Sequence, residues 1–129
     1  MIAVDSSAIL AILCDEPEAD RLRAKLKVAK QGLISAANVL ELQIVVAGLR
    51  SMTGWVDVEA LLKAYDIAVS SFDDRQLRAA REAVLRYGKG RHKAALNFGD
   101  CFAYALARTE GLALLFTGRD FSYTDIEMA

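Results

Sequence analysis

One proline, one histidine, one tryptophan and two cysteines are all that the 129 residues supply of those types. With a single proline, Pro17, and no Ser- or Gly-rich tract, nothing divides the chain. Its length suits one domain over residues 1–129 with a substantial core. Cys14 and Cys101 lie far apart in apolar helical patterns, so no zinc pair is formed and both are expected to be buried. His92 stands between Arg91 and Lys93 and is expected in a basic surface loop, not in a ligand set. No run of ~18 uncharged apolar residues occurs, which excludes a membrane-spanning helix. No basic leader precedes the opening apolar stretch, and Asp5 and Asp15 interrupt it, so a cytoplasmic protein is expected.

Apolar residues are abundant instead, at 54% of the chain. That surplus suggests two buried sheet faces or an oligomer interface. Strands are expected at 1–5, 33–35, 67–69 and 112–116, with a short edge strand at 125–127. Helices are expected at 7–13 with Ser6 as cap, from the Asp15-Glu16-Pro17-Glu18 turn to Lys30, at 36–50, at 56–64, from Asp73-Asp74 to Tyr87, and at 98–110. Asn97 caps the last helix and Gly111 ends it. Short strands alternating with helices predict an α/β fold: a central, mostly parallel sheet of about four to five strands with helices on both faces. In such sheets a ligand site lies at the carboxyl ends of the strands, where the strand order switches.

Four acids occupy positions of that kind. Asp5 ends the first strand, Asp120 follows the last, and Glu41 and Asp100 stand in early turns of helices rich in Ala, Leu and Val. Each has a plain alternative: Asp5 as a helix cap, Asp100 as partner of Asn97 in a capping box, Glu41 as a first-turn acid, Asp120 as a turn residue. Together they point to a divalent cation, because clustered carboxylates in apolar surroundings are costly unless neutralised. Mg²⁺ or Mn²⁺, one or two ions, suits an all-oxygen set and the chemistry of phosphodiester hydrolysis. Basic residues gather in one segment, Arg75, Arg78, Arg81, Arg86, Lys89, Arg91 and Lys93, joined by a flexible Gly88–Gly90 loop. That segment is either a solvated helix face or a rim that guides RNA toward the acids.

Several segments carry a resemblance. Val4-Asp5-Ser6-Ser7-Ala8, Ser35-Ala36-Ala37-Asn38-Val39-Leu40-Glu41, Tyr87-Gly88-Lys89-Gly90-Arg91-His92, Leu96-Asn97-Phe98-Gly99-Asp100-Cys101 and Leu115-Phe116-Thr117-Gly118-Arg119-Asp120-Phe121 span nearly the whole chain. In that pattern the chain resembles the PIN-domain ribonuclease toxins of type II toxin–antitoxin modules, the VapC group. The resemblance implies a PIN-like fold and an endoribonuclease in which Asp5, Glu41, Asp100 and Asp120 hold Mg²⁺ or Mn²⁺. It also implies that Ser7 and Thr117 orient carboxylates or a metal-bound water. Arg86, Lys89, Arg91 and Lys93 would contact RNA. Arg119 departs from relatives that carry Asn or an acid there, and would also touch phosphate. A homodimer and a small VapB-like antitoxin blocking the acidic groove are implied as well, with Leu33, Leu49, Met52, Trp55 and Leu61 compatible with a docking groove or with the core.

Other classes fit less well. A phosphoacceptor receiver needs paired acids after the first strand and a late Lys, and no Lys follows Lys93. A haloacid-dehalogenase-like phosphatase needs a second Asp two residues after Asp5, where Ser7 stands. A PIN-like binding module without turnover and a structure-specific DNA nuclease remain as alternatives.

Overall fold

The computed structural model describes residues 1–49 and 54–129. Its elements run β1 (Ile2–Val4), α1 (Ser6–Leu13), α2 (Ala19–Ala29), β2 (Gly32–Ser35), α3 (Ala36–Ala47), α4 (Trp55–Ala64), β3 (Ile67–Ser70), α5 (Asp74–Tyr87), α6 (Phe98–Glu110), β4 (Leu114–Leu115) and a 3₁₀ turn (Asp120–Tyr123). The four strands form one parallel sheet in the order β3-β2-β1-β4. The chain builds outward from β1 to β3, then returns to lay β4 on the other side of β1. The strand order therefore reverses between β1 and β4, and that crevice is where an open parallel sheet receives a ligand.

Alternation along the short strands sorts side chains between two cores. Ala3 and Leu114 face α5 and α6, beside Ala83, Tyr104 and Leu106. Val4 and Leu115 face the opposite layer, where α1 to α4 contribute Ile9, Leu22, Leu42 and Val58. Helices therefore cover both faces, as the apolar surplus suggested. Among the described residues no helix is long and apolar enough to cross a membrane.

Several local expectations change. The α1 cap is Asp5 rather than Ser6: the Asp5 carboxylate accepts from the Ser7 N–H at 3.0 Å. Pro17 lies in the turn before α2 instead of in its first turn. The final apolar run is expected as a strand over 112–116, yet only Leu114–Leu115 pairs, and it does so at the sheet edge. Residues 125–127 form no strand; a single bridge between Leu114 and Met128 covers that edge. Cys14 is exposed at the end of α1, whereas Cys101 is buried. The loop expected to be flexible is closed by backbone bonds, Leu96 N–H to Tyr87 O at 2.9 Å and Lys89 N–H to Leu96 O at 3.0 Å. His92 accepts from the Ala94 N–H and its ring stands nearly perpendicular to that of Tyr87, which makes it part of that closure.

Candidate active site

β1 delivers Asp5 to the switch point, where its own N–H donates to Leu115 O at 2.9 Å. The carboxylate is nearly out of solvent, at 3% exposure. Oδ2 takes the Ser7 N–H, while Oδ1 is buried with no hydrogen-bond partner. Burial pushes the Asp5 carboxyl up to about 6; Ser7 opposes that rise, and the charges of Asp100 and Glu41 add to it. An unpaired, desolvated carboxylate oxygen is expensive in a finished core. It is the expected state of an oxygen whose partner is a cation.

Glu41 and Asp100 reach the same place from α3 and α6. A cavity of about 230 Å³ is lined by Asp5, Ser6, Ser7, Glu41, Asn97 and Asp100, closed by Leu10, Leu42 and Val45. Glu41 accepts from the Ser6 hydroxyl and, at 3.2 Å, from the Asn38 amide. Asp100 serves two ends at once. One of its oxygens accepts the Asn97 N–H at 3.0 Å while the Asn97 side chain accepts the Asp100 N–H at 2.9 Å, a complete capping box. Burial raises the Asp100 carboxyl, with the charges of Asp120 and Glu41 adding to the rise. The capping alternatives for Asp5 and Asp100 are thus correct as far as they go, and both residues face the cavity as well.

Asp120 is less central. It opens the 3₁₀ turn after β4, is exposed, and is absent from the cavity lining, although its charge acts on Asp100. Among the described residues no three acids, cysteines or histidines converge tightly enough to form a ready metal cage. Mutual repulsion holds bare carboxylates apart, and Mg²⁺ spans such gaps through the waters it keeps. The all-oxygen set of Asp5, Glu41 and Asp100, with one orphaned oxygen, fits a hard divalent cation.

Ser7 and Thr117 meet directly, the Ser7 hydroxyl accepting from the Thr117 N–H at 3.1 Å. The basic residues separate. Lys89 and Arg91 line an apolar cavity of about 740 Å³ that shares Asn97 with the acidic one. Arg86 lies over the Tyr87 ring and 3.5 Å from Asp125. Lys93 lies over the Tyr123 ring, and Arg75 pairs with Glu110 at 2.5 Å. Arg119 is exposed beside Asp120. Of the residues named for a docking groove, Leu61 is core, Leu33 and Trp55 pack against the core, Leu49 is half-buried and Met52 lies outside the described residues.

Two residues of the site carry no obvious signal in the sequence. Asn38 is buried at the base of Glu41, and Gly99 lies beneath the Glu41 carboxylate. Each adjoins an acid already singled out, but their partnership spans 61 positions and only the fold reveals it.

The PIN domain family matches residues 2–127. The chain belongs to the PIN-domain family. Ribonuclease VapC of Mycolicibacterium smegmatis is 42% identical over 125 residues, covering 97% of each chain. Ribonuclease VapC30 of Mycobacterium tuberculosis is 40% identical over 125 residues, covering 97% of this chain and 95% of the relative. At that identity and coverage this PIN domain belongs to the VapC ribonuclease group. Solved structures share the fold at lower identity. VapC20 of M. tuberculosis, described as a sarcin–ricin loop cleaving toxin, has a TM-score of 0.76 at 16% identity, covering 100% of this chain and 98% of its own. VapBC2 of Rickettsia felis, bound to a promoter DNA fragment, gives the same score, identity and coverages.

Proposed function

We propose that the chain, as one PIN domain over residues 1–129, is the cytoplasmic toxin of a type II toxin–antitoxin pair and hydrolyses RNA phosphodiester bonds. The observation that carries this reading is the buried, unpaired Oδ1 of Asp5 in a cavity shared with Glu41 and Asp100. The VapC relatives supply the substrate class. Asp5, Glu41 and Asp100 would hold one or two Mg²⁺ or Mn²⁺ ions, with Asp120 adding charge from the rim. When bound, such ions supply the charge that activates water and stabilises a crowded phosphate.

The protein's own contribution is placement. Ser7 fixes Asp5 through its N–H and takes the Thr117 N–H on its hydroxyl, which holds the ends of β1 and β4 together. Asn97 and Asp100 fix each other, so the third carboxylate cannot swing away without breaking the α6 cap. Lys89 and Arg91, which line the cavity that shares Asn97 with the acidic one, would receive the phosphates of a bound strand. Arg119 would assist from the exposed side of the crevice. Arg86 and Lys93, engaged with Asp125 and Tyr123, contribute less.

A second copy and a small antitoxin are the proposed partners. Leu40, Ile44 and Phe98, exposed by 60%, 68% and 83%, flank the outer side of Glu41. An apolar face of that kind suits a homodimer interface. The solved toxin–antitoxin complexes of this fold support an antitoxin as a partner, which would cover the acidic crevice. The test is cleavage of structured RNA by protein freed of its antitoxin and stripped with chelator. Activity should vanish on stripping and return with Mg²⁺ or Mn²⁺. Cleavage that survives exhaustive chelation would contradict the reading.

A further inference from the structure

Glu41 is held by a contact between two helices. The Asn38 amide nitrogen donates to Gly99 O at 3.0 Å and to Glu41 Oε1 at 3.2 Å, bridging α3 to α6 from a site that is 0% exposed. Its own Oδ1 is buried with no partner. Keeping a half-satisfied amide there costs stability, so its donor side has a use that an apolar side chain could not supply. Gly99 completes the arrangement. A Cβ at that position would stand 1.9 Å from Glu41 Oε2 and 2.7 Å from Cδ. The Gly99 backbone has no positive φ, so conformation does not demand glycine; a side chain there would instead push the Glu41 carboxylate out of its seat.

We propose that Asn38 and Gly99 are positioning residues that together seat Glu41 in the acidic cavity. The Asn38 amide aims the carboxylate, and the missing side chain at Gly99 provides its floor. Glu41 reaches its working position only when α3 and α6 are docked, so the site is completed by tertiary packing rather than by α3 alone. The metal part of the test rests on the reading of Glu41 as one of the cation-holding acids. The stability part does not, and the two can fail separately.

The stability part is a double-mutant cycle on melting temperature with Glu41→Ala and Gly99→Ala. Gly99→Ala should be better tolerated once the carboxylate is gone, since Glu41 supplies the three atoms nearest to the added Cβ. With Glu41 present the effect should be less favourable, because the carboxylate must swing aside and give up its bonds from Ser6 and Asn38. Equal effects of Gly99→Ala in both backgrounds would overturn the proposal. The second part is Mn²⁺ binding, read from the paramagnetic resonance of free Mn²⁺ without RNA. Gly99→Ala and Asn38→Ala should each weaken it by about 10–100-fold, as loss of a residue that orients a ligand does. Asn38→Gln, which retains the donor, should recover part of the loss. If the cycle is coupled but Mn²⁺ affinity is unchanged, Glu41 is seated as proposed but holds no cation.

Discussion

The hydroxyl of Ser7 accepts a hydrogen bond from the Thr117 N–H at 3.1 Å, joining residues 110 positions apart at the one place where the strand order reverses. Through it the start of α1, which fixes Asp5, is tied to the exit of β4, which leads to Asp120. Ser7→Ala leaves that N–H without its acceptor and should cost about 1–3 kcal/mol in urea unfolding. RNA cleavage should fall with it, since the crevice loses the bond across its mouth. Ser7→Thr, which keeps a hydroxyl, should retain most of the stability.

Asp5 makes the metal-free protein sensitive to pH in a definite direction. Its carboxyl titrates near 6 in the folded chain against 3.8 for an ordinary aspartate. Between those values the folded state binds the proton more tightly than the unfolded state, so stability is highest at the acid end and falls as pH rises. The loss should be complete above about pH 6 and reach up to about 3 kcal/mol. Asp5→Asn should remove this dependence and leave the metal-free protein more stable at pH 7 than the parent. Chemical unfolding across pH 4–7.5 in chelator measures both. Activity should run the other way, rising as Asp5 ionises.

Lys89 and Arg91 should affect RNA capture rather than turnover. Lys89→Ala and Arg91→Ala are expected to raise KM with little change in kcat. Each should reduce the salt dependence of RNA binding by about 0.7 in log–log slope, the value for one lost contact on a single strand. Arg75→Ala, which loses a pair with Glu110 and a bond to Thr109 O at the far end of α6, should alter neither.

Ile44→Lys places a charge in the exposed apolar face beside Glu41. The variant should fold and sediment as a monomer where the parent sediments as a dimer. A variant that still dimerises would place the interface elsewhere, and a parent that is already monomeric would contradict the homodimer.

Where residue and consequence lie close together, the sequence was easy to read. Asn97 and Asp100, three apart, announce a capping box, and α6 begins and ends where they and Gly111 require. The parallel layout and the gathering of Asp5, Glu41 and Asp100 were likewise legible, because strand ends and early helical turns converge at a switch point, although Glu41 lies in the second turn of α3 and not the first. What escaped depends on distant partners. The apolar run 112–116 shows that β4 is buried but not how many strands flank it, and it proves to be an edge. Asn38 resembles any polar residue in a first turn until Gly99 is brought beside it. Leu40 and Ile44 keep a helical spacing that suggests core, yet α3 turns them outward.

The central claim is that the Asp5 carboxylate is indispensable to a metal-dependent cleavage of RNA. Single-turnover cleavage of a labelled structured RNA by Asp5→Asn, beside the parent and at saturating Mg²⁺, tests it most directly. The parent should cleave, and the variant, folded and still able to bind RNA, should leave the substrate intact. Cleavage by the variant at the parental rate would contradict it.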